Sequence, residues 1–221
     1  MDKQAKPHLY YWNIRGLGSF IQMAFYAAGV EFDLTEYTPE NEPKWFEKDK
    51  PALKMTLPNL PYIKDGAVEI SEHDAIFRHV LRKYKPELLG KSIDEEAVVD
   101  QFITFWAKTN IKIRMYCYEA KDATDEDKKK HLDQYKAQVE SINHMLEGRS
   151  FTMGDHLTGA DIFLFETYWM ISVVHKGVAE SYANIAKVAK NVEEQEWFKK
   201  YRASEKWRNQ LNWYEAFINN E

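Results

Sequence analysis

Residues 57–76, Leu-Pro-Asn-Leu-Pro-Tyr-Ile-Lys-Asp-Gly-Ala-Val-Glu-Ile-Ser-Glu-His-Asp-Ala-Ile, restrict the fold of this chain more than any other stretch. Pro61 fixes its own φ and holds Leu60 extended, so Leu60 is expected at the mouth of a strand. Its N–H and C=O are then free to pair with a ligand. Asp65-Gly66, between the apolar runs Tyr62-Ile63 and Ala67-Val68, reads as a two-residue hairpin turn, because the primed turns need the positive φ that Gly and Asp tolerate. Ser71-Glu72-His73-Asp74 then opens Ala75-Ile76-Phe77-Arg78-His79-Val80-Leu81, which is apolar at helical spacing. The first N–H groups of that helix would lie beside the proline turn, where they can hold a carboxylate. The run reads as a site for an extended, anionic peptide. The plainer alternative is a structural corner built from a proline turn and an ordinary hairpin.

Upstream, His8 to Trp12 is aromatic and apolar as in a buried strand, Asn13 to Gly18 breaks it, and Phe20 to Ala28 has helical period. Gly29 closes that helix, and Val30 to Tyr37 alternates as a half-buried strand. A loop over Pro39 to Pro43 and a short helical piece around Lys44 to Asp49 lead into the proline turn. The order strand, helix, strand, helix, strand, strand, helix matches a thioredoxin-like unit, a small mixed sheet flanked by helices. Gly16-Leu17-Gly18 lacks the third glycine of a phosphate-cradling motif and reads as a turn into the helix.

After Tyr84 the pattern changes. Residues 85–91, Lys-Pro-Glu-Leu-Leu-Gly-Lys, read as a linker between a thioredoxin-like domain at 1–84 and an all-helical domain at 92–221, since helical periodicity runs through everything beyond. Ser92-Ile93-Asp94-Glu95 has the capping-box form and should start a long helix reaching Tyr118. Lys128 to Leu146 reads as one further helix, stopped by Gly148. Thr158 and Asp161 form a second capping box, with Leu157 and Ile162 placed as a hydrophobic staple. The helix beyond, Ile162 to Val174, is apolar on most sides and should form the centre of the second domain.

A single cysteine, Cys117, excludes an intramolecular disulfide, a Cys-x-x-Cys pair and a multi-cysteine zinc site, and favours a reducing compartment such as the cytoplasm. Met1 to Pro7 has no apolar core behind its charges, and no window approaches the roughly 18 apolar residues of a membrane span. A net charge of −5 argues against nucleic acid as a partner. The histidines show no ligand spacing, so no metal is expected. Mid-helix Cys117 has no electropositive setting that would make it a nucleophile.

Two motifs carry a family resemblance. Tyr11-Trp12-Asn13-Ile14-Arg15-Gly16-Leu17 resembles the Tyr-Trp-Asp-Ile-Arg-Gly-Leu signature of mu-class glutathione transferases, and Leu57 to Tyr62 followed by Asp65-Gly66-Ala67 resembles their Pro-Asn-Leu-Pro-Tyr hairpin. Met115-Tyr116-Cys117-Tyr118 looks like their Ile-Cys-Tyr segment. The resemblance implies a cytosolic homodimer that conjugates the thiolate of glutathione, as co-substrate and with no further cofactor, to hydrophobic electrophiles. It makes Tyr11 the catalytic hydroxyl, Pro61 a cis proline, and Trp12, Leu17, Trp45, Lys50, Asn59, Leu60, Glu72 and His73 the glutathione-binding set. Tyr118 would reach the electrophile. A non-catalytic relative, and a glutathione-dependent isomerase or peroxidase on the same scaffold, stand beside this reading.

The chain departs from the pattern at three places. Only eight positions separate Tyr37 from Trp45, so an extended loop and its arginine are missing, and Glu42 stands near that place. The usual Gln-Ser pair is Glu72-His73, and the acidic residue that crosses the dimer to the glutathione ammonium is Lys108. The chemistry itself is simple to state. Lowering a thiol pKa from about 8.5 to about 6.5 takes about 2.7 kcal/mol of preference for the anion. One hydroxyl donor to a charged acceptor supplies about 1.5–3 kcal/mol. Tyr11 can provide most of it, and Tyr10, its strand neighbour, must face the other way.

Overall fold

The computed structural model describes residues 5–219, so the charged start at Met1–Gln4 lies outside the described residues. In chain order the elements are β1 (His8–Trp12), α1 (Gly18–Ala28), β2 (Asp33–Tyr37), α2 (Glu42–Lys44), a π-helical turn at Trp45–Asp49 and α3 (Lys50–Ala52). They continue with β3 (Tyr62–Asp65), β4 (Val68–Ser71) and α4 (His73–Tyr84), then a 3₁₀ turn at Pro86–Leu88. The rest is α5 (Ile93–Glu119), α6 (Asp125–Asp133), α7 (Lys136–Met145), α8 (Gly159–Val174), α9 (Ala183–Glu193) and α10 (Glu196–Arg202), with a 3₁₀ turn at Ala179–Ser181.

The sheet order is β2-β1-β3-β4, with β1 parallel to β2 and antiparallel to β3, and β3 antiparallel to β4. This is the thioredoxin-like arrangement, followed by a helical half. Gly29 ends α1 at φ 70°, and its N–H bonds back into the last turn. Thr158 and Asp161 form the expected reciprocal cap of α8, where the buried Asp161 also accepts the Thr152 N–H at 2.6 Å. The two halves share one core. Phe20 of α1 stacks on Phe163 of α8 at 4.2 Å, and Phe77 of α4 meets the same ring edge-on at 4.8 Å.

Several sequence expectations need correction. The hairpin register pairs Asp65 with Val68, so the two-residue turn is Gly66-Ala67, with Gly66 at φ 64°. Asp65 belongs to the strand because its buried carboxylate accepts from Lys83 at 2.6 Å, Tyr84 at 2.8 Å and His79 at 2.8 Å. Burial pushes that carboxyl up, but these three donors outweigh it and hold it below the usual range. Strand β2 starts at Asp33 rather than Val30, since Phe32 turns inward to stack on Phe25 at 4.6 Å. Glu95 reaches back to the Lys91 N–H, one residue before the cap, although Ser92 accepts from Glu95 as expected.

The stretch 128–146 is two helices, not one. Tyr135 leaves the helical region at φ −138° and is buried, with its ring edge-on to His131 at 5.4 Å. After α10, residues 203–219 form an irregular tail instead of continuing the helical pattern. The tail crosses back to the first domain, where Gln210 accepts the Arg15 N–H at 2.8 Å and Leu211 accepts the Gly16 N–H at 3.1 Å. Those partners are nearly the whole chain apart in sequence, so no local pattern announces them.

Arg15 lies at the centre of this crossing. Its guanidinium is fully buried, bonds Glu166 of α8 from Nε at 2.9 and 3.0 Å and from Nη2 at 2.7 Å, and sits between the rings of Trp169 at 3.9 Å and Trp207 at 4.1 Å. A buried charge left without its partner is strongly destabilising, whereas the fork-to-fork pair with stacked rings is tolerated. Arg15→Met is therefore expected to lower the unfolding free energy in urea by about 3–5 kcal/mol. Glu166→Leu, which leaves both Arg15 and the neighbouring Arg114 without their carboxylate, should cost at least as much, and a loss well below that of Arg15→Met would contradict the pairing.

Candidate active site

Strand β1 ends at the domain junction, and its last residues open onto a cleft of about 350 Å³. Tyr11, Trp12, Leu17 and Leu60 come from the thioredoxin-like half, and Tyr118 comes from α5. Five of the sequence-predicted site residues thus share one cavity. Tyr11 is buried, and its hydroxyl oxygen accepts the Leu17 N–H at 2.8 Å. Burial pushes that hydroxyl up to about 12, while the Arg114 charge and the Leu17 N–H pull in the opposite direction. At neutral pH the phenol therefore keeps its proton and remains a donor. Tyr10 projects from the other side of β1, stacked on Tyr62 at 4.3 Å.

Two glycines make room for the phenol. A Cβ on Gly16 would lie 2.3 Å from the Tyr11 oxygen, and one on Gly18 would lie 2.4 Å from Tyr11 Cδ1. Gly16 also holds φ 41°, which side-chain-bearing residues rarely adopt. The Gly-Leu-Gly turn into α1 is thus the seat of the ring. On the opposite wall, the half-buried Tyr118 accepts the Trp213 N–H at 2.9 Å, so its proton too is left for another acceptor. Burial raises the Tyr118 hydroxyl pKa, with the Trp213 N–H opposing.

Leu60 precedes the cis Pro61, and no hydrogen bond among the described residues engages its N–H or C=O. Asn59 beside it is exposed. The other predicted residues lie outside the cleft lining. Trp45 is buried between Tyr37 at 5.4 Å and Tyr62 at 5.9 Å, which makes it a wall behind the cavity. Lys50 is half-buried at the start of α3, and no acidic partner for its ammonium occurs among the described residues. Glu72 is exposed at the N-cap of α4, at φ 70°. His73 turns inward against Phe20 at 5.6 Å, and its buried Nε2 has no partner among the described residues. Of the first-turn N–H groups of α4, that of Ala75 bonds the Asp74 carboxylate at 3.0 Å and that of Ile76 bonds the Glu72 carbonyl at 2.9 Å, while those of His73 and Asp74 have no acceptor among the described residues. Glu42 lines the cleft, whereas Lys108 is exposed on α5 and does not.

Sequence reasoning missed Arg114 and Trp213. Arg114 lies in the cleft wall, 7% exposed, and follows Asn110 by four residues on the buried stripe of α5. Two polar residues one turn apart on such a stripe were the available signal. Trp213 had none, because the tail that carries it has no periodic pattern. It packs on Trp12 at 4.7 Å and closes one side of the cleft. Cys117 is buried, donates to the Ile113 carbonyl at 3.2 Å and is pushed up to about 11 by burial, as an inert thiol would be. Among the described residues no group of three or more His, Cys, Asp and Glu could hold a metal ion, and no helix is long and apolar enough to cross a membrane.

Comparison with known proteins agrees with this architecture. Residues 7–82 match the glutathione S-transferase N-terminal domain and residues 108–205 match the glutathione S-transferase C-terminal domain. A glutathione S-transferase of Tyrophagus putrescentiae is 30% identical over 198 residues, 86% of each chain. Glutathione S-transferase Mu 6 of Mus musculus is 29% identical over 162 residues, 71% of this chain and 72% of the mouse protein. The solved structure of the glutathione S-transferase Blo t 8 shares the fold with a TM-score of 0.82 at 20% identity, covering 96% of this chain and 100% of that one. The chain belongs to the glutathione S-transferase family, and it is a glutathione transferase.

Two measurements test this geometry. Gly16→Ala must displace the Tyr11 ring, and is expected to cost more stability in urea than Gly66→Ala, which has positive φ but open space and should cost about 1–2 kcal/mol. Equal costs would contradict the seating. Burial holds the imidazoles of His73 and His175 down to about 4, below the 6.5 of an exposed histidine. The unfolded chain therefore binds more protons than the folded one between those values, so stability is full above about pH 6.5 and falls as the pH drops toward 4. The urea midpoint should be lower at pH 5 than at pH 7, and an unchanged midpoint would contradict it.

Proposed function

We propose that this protein is a mu-like transferase that adds the thiolate of glutathione to hydrophobic electrophiles, with Tyr11 stabilising the sulfur anion. The observation that carries the reading is the bond from the Leu17 N–H to the Tyr11 oxygen at 2.8 Å, inside the cleft that Leu60 also lines. With that lone pair engaged, the phenol donates its own proton outward. A neutral donor to a charged acceptor is worth about 1.5–3 kcal/mol, enough to lower a thiol pKa by about one to two units.

The Leu60 main chain, unpaired among the described residues, is suited to bond an extended cysteinyl residue in the manner of an added strand. The ammonium of Lys50, unpaired among the described residues, suits the glycyl carboxylate, and the first N–H groups of α4, those of His73 and Asp74, suit the γ-glutamyl carboxylate. For the γ-glutamyl ammonium the exposed Glu72 is the partner, in place of the acid that stands as Lys108 here. Trp12 and Leu17 close the floor around the sulfur, Asn59 flanks the peptide, and Trp45 supports them from behind. The electrophile would occupy the side bounded by Tyr118, Met115 and Trp213. The thiolate forms a C–S bond to the electrophilic carbon as that carbon's bond to its leaving group breaks and the leaving group departs with the electron pair; where the bond that opens leaves the pair on an oxygen of the same molecule, the Tyr118 proton stabilises that oxygen anion. The 29% identity to a mouse Mu protein supports the mu-like assignment. A cytoplasmic location, which the single cysteine favours, and a homodimer complete the reading.

Conjugation of a chloronitroaromatic tests it. Tyr11→Phe should lower kcat/KM at neutral pH by about 10- to 100-fold and Tyr10→Phe by little, following the energy of one charge-assisted hydrogen bond. Lys50→Met should raise the KM for glutathione while sparing kcat. Equal effects of the two tyrosine substitutions, or a wild type that binds glutathione without conjugating it, would contradict the assignment.

A further inference from the structure

We propose that Arg114 is the positioning residue of the thiolate site, acting on Tyr11 through the Gly16–Leu17 peptide group. The inference rests on the reading of Tyr11 given above. Arg114 Nη2 donates to the Gly16 carbonyl at 2.9 Å, and the Leu17 N–H donates to the Tyr11 oxygen at 2.8 Å. That carbonyl and that N–H belong to one peptide unit. A cation bonded to the oxygen draws electron density along the conjugated amide, which makes the N–H a stronger donor. The phenol oxygen, giving up more density to that N–H, in turn becomes a stronger donor through its own proton. The chain is guanidinium, peptide, phenol, sulfur.

The same guanidinium also governs the second phenol. Its Nη1 donates to the Leu211 carbonyl at 2.9 Å and to Asn212 Oδ1 at 3.1 Å. The next N–H along the chain, that of Trp213, is the one bonded to Tyr118. Two segments remote in sequence thus hang on one side chain, and each supplies a main-chain donor to one of the two hydroxyls in the cleft. Arg114 is itself fixed by Asn110, which accepts from Nε at 2.7 Å, and by Glu166 at 3.5 Å. Burial in this setting keeps its charge unscreened by water. Its foremost consequence for Tyr11 is to oppose the upward push of burial, which by itself weakens the phenol as a donor. A lysine at this position would keep a charge but could not bridge the acceptors of two segments in one plane.

The test is the pKa of the glutathione thiol bound to the enzyme, read from ultraviolet thiolate absorbance, in wild type, Arg114→Lys, Arg114→Gln, Tyr11→Phe and Tyr11→Phe/Arg114→Lys. Both Arg114 single variants should raise that pKa by about one unit, a tenfold loss of thiolate at constant pH, with the KM for glutathione changed by less than about threefold. In the Tyr11→Phe background, Arg114→Lys should add no further shift, because the phenol that carries the relay is gone. Should Arg114→Gln fail to fold, Arg114→Lys carries the same comparison. An unmoved pKa in the folded Arg114 variants alongside a raised one in Tyr11→Phe overturns the relay and leaves the Tyr11 assignment standing. An unmoved pKa in Tyr11→Phe overturns both, and an equal Arg114→Lys shift in both backgrounds overturns the route through the phenol.

Discussion

Two buried guanidiniums hold the turn between β1 and α1, and the chemistry of the cleft follows from where that turn sits. Residues 13–17 make few regular hydrogen bonds of their own, so their position is set from outside. Arg15 is locked by Glu166 and two tryptophan rings, Arg114 grips the Gly16 carbonyl, and the returning tail accepts the N–H groups of Arg15 and Gly16. Both arginines also reach Glu166 of α8, so one carboxylate balances two buried cations. Such an arrangement is expensive to desolvate and is stable only when complete. It therefore couples the two halves: the turn that places the phenol exists only while α8 and the tail are docked.

The same constraint explains why glycine occupies both sides of Leu17. The Tyr11 ring fills the space that either Cβ would take, and the close approach brings the Leu17 N–H onto the phenol oxygen. The site is thus preorganised by packing before any ligand arrives. Burial raises the Tyr11 hydroxyl pKa and preserves its proton, which suits a donor to an anion and would be useless for a general base.

Much of the fold was legible because local rules agreed. Gly29, the Thr158–Asp161 cap and the aromatic and apolar run of β1 each announce one element without help from elsewhere, and the proline turn located Leu60. Errors arose where a distant partner outvoted local propensity. Asp65 looks like a turn residue, yet Lys83, His79 and Tyr84 draw it into the strand. Tyr135 sits in a helical pattern, yet it leaves the helical region and is buried with its ring edge-on to the distant His175 at 6.2 Å. Within the site, Tyr11, Trp12, Leu17 and Tyr118 came from motif resemblance, since each alone reads as a core aromatic or aliphatic. Arg114 left a faint trace as a polar residue on an apolar stripe. Trp213 left none, because the contact that gives it a role spans two hundred residues.

The most direct test is a crystal structure of the protein with glutathione bound. The sulfur should lie about 3.0–3.5 Å from the Tyr11 oxygen, with the cysteinyl main chain bonded to Leu60 at about 2.9 Å. A sulfur more than about 5 Å from that phenol, or a peptide that leaves Leu60 unpaired, would contradict the account.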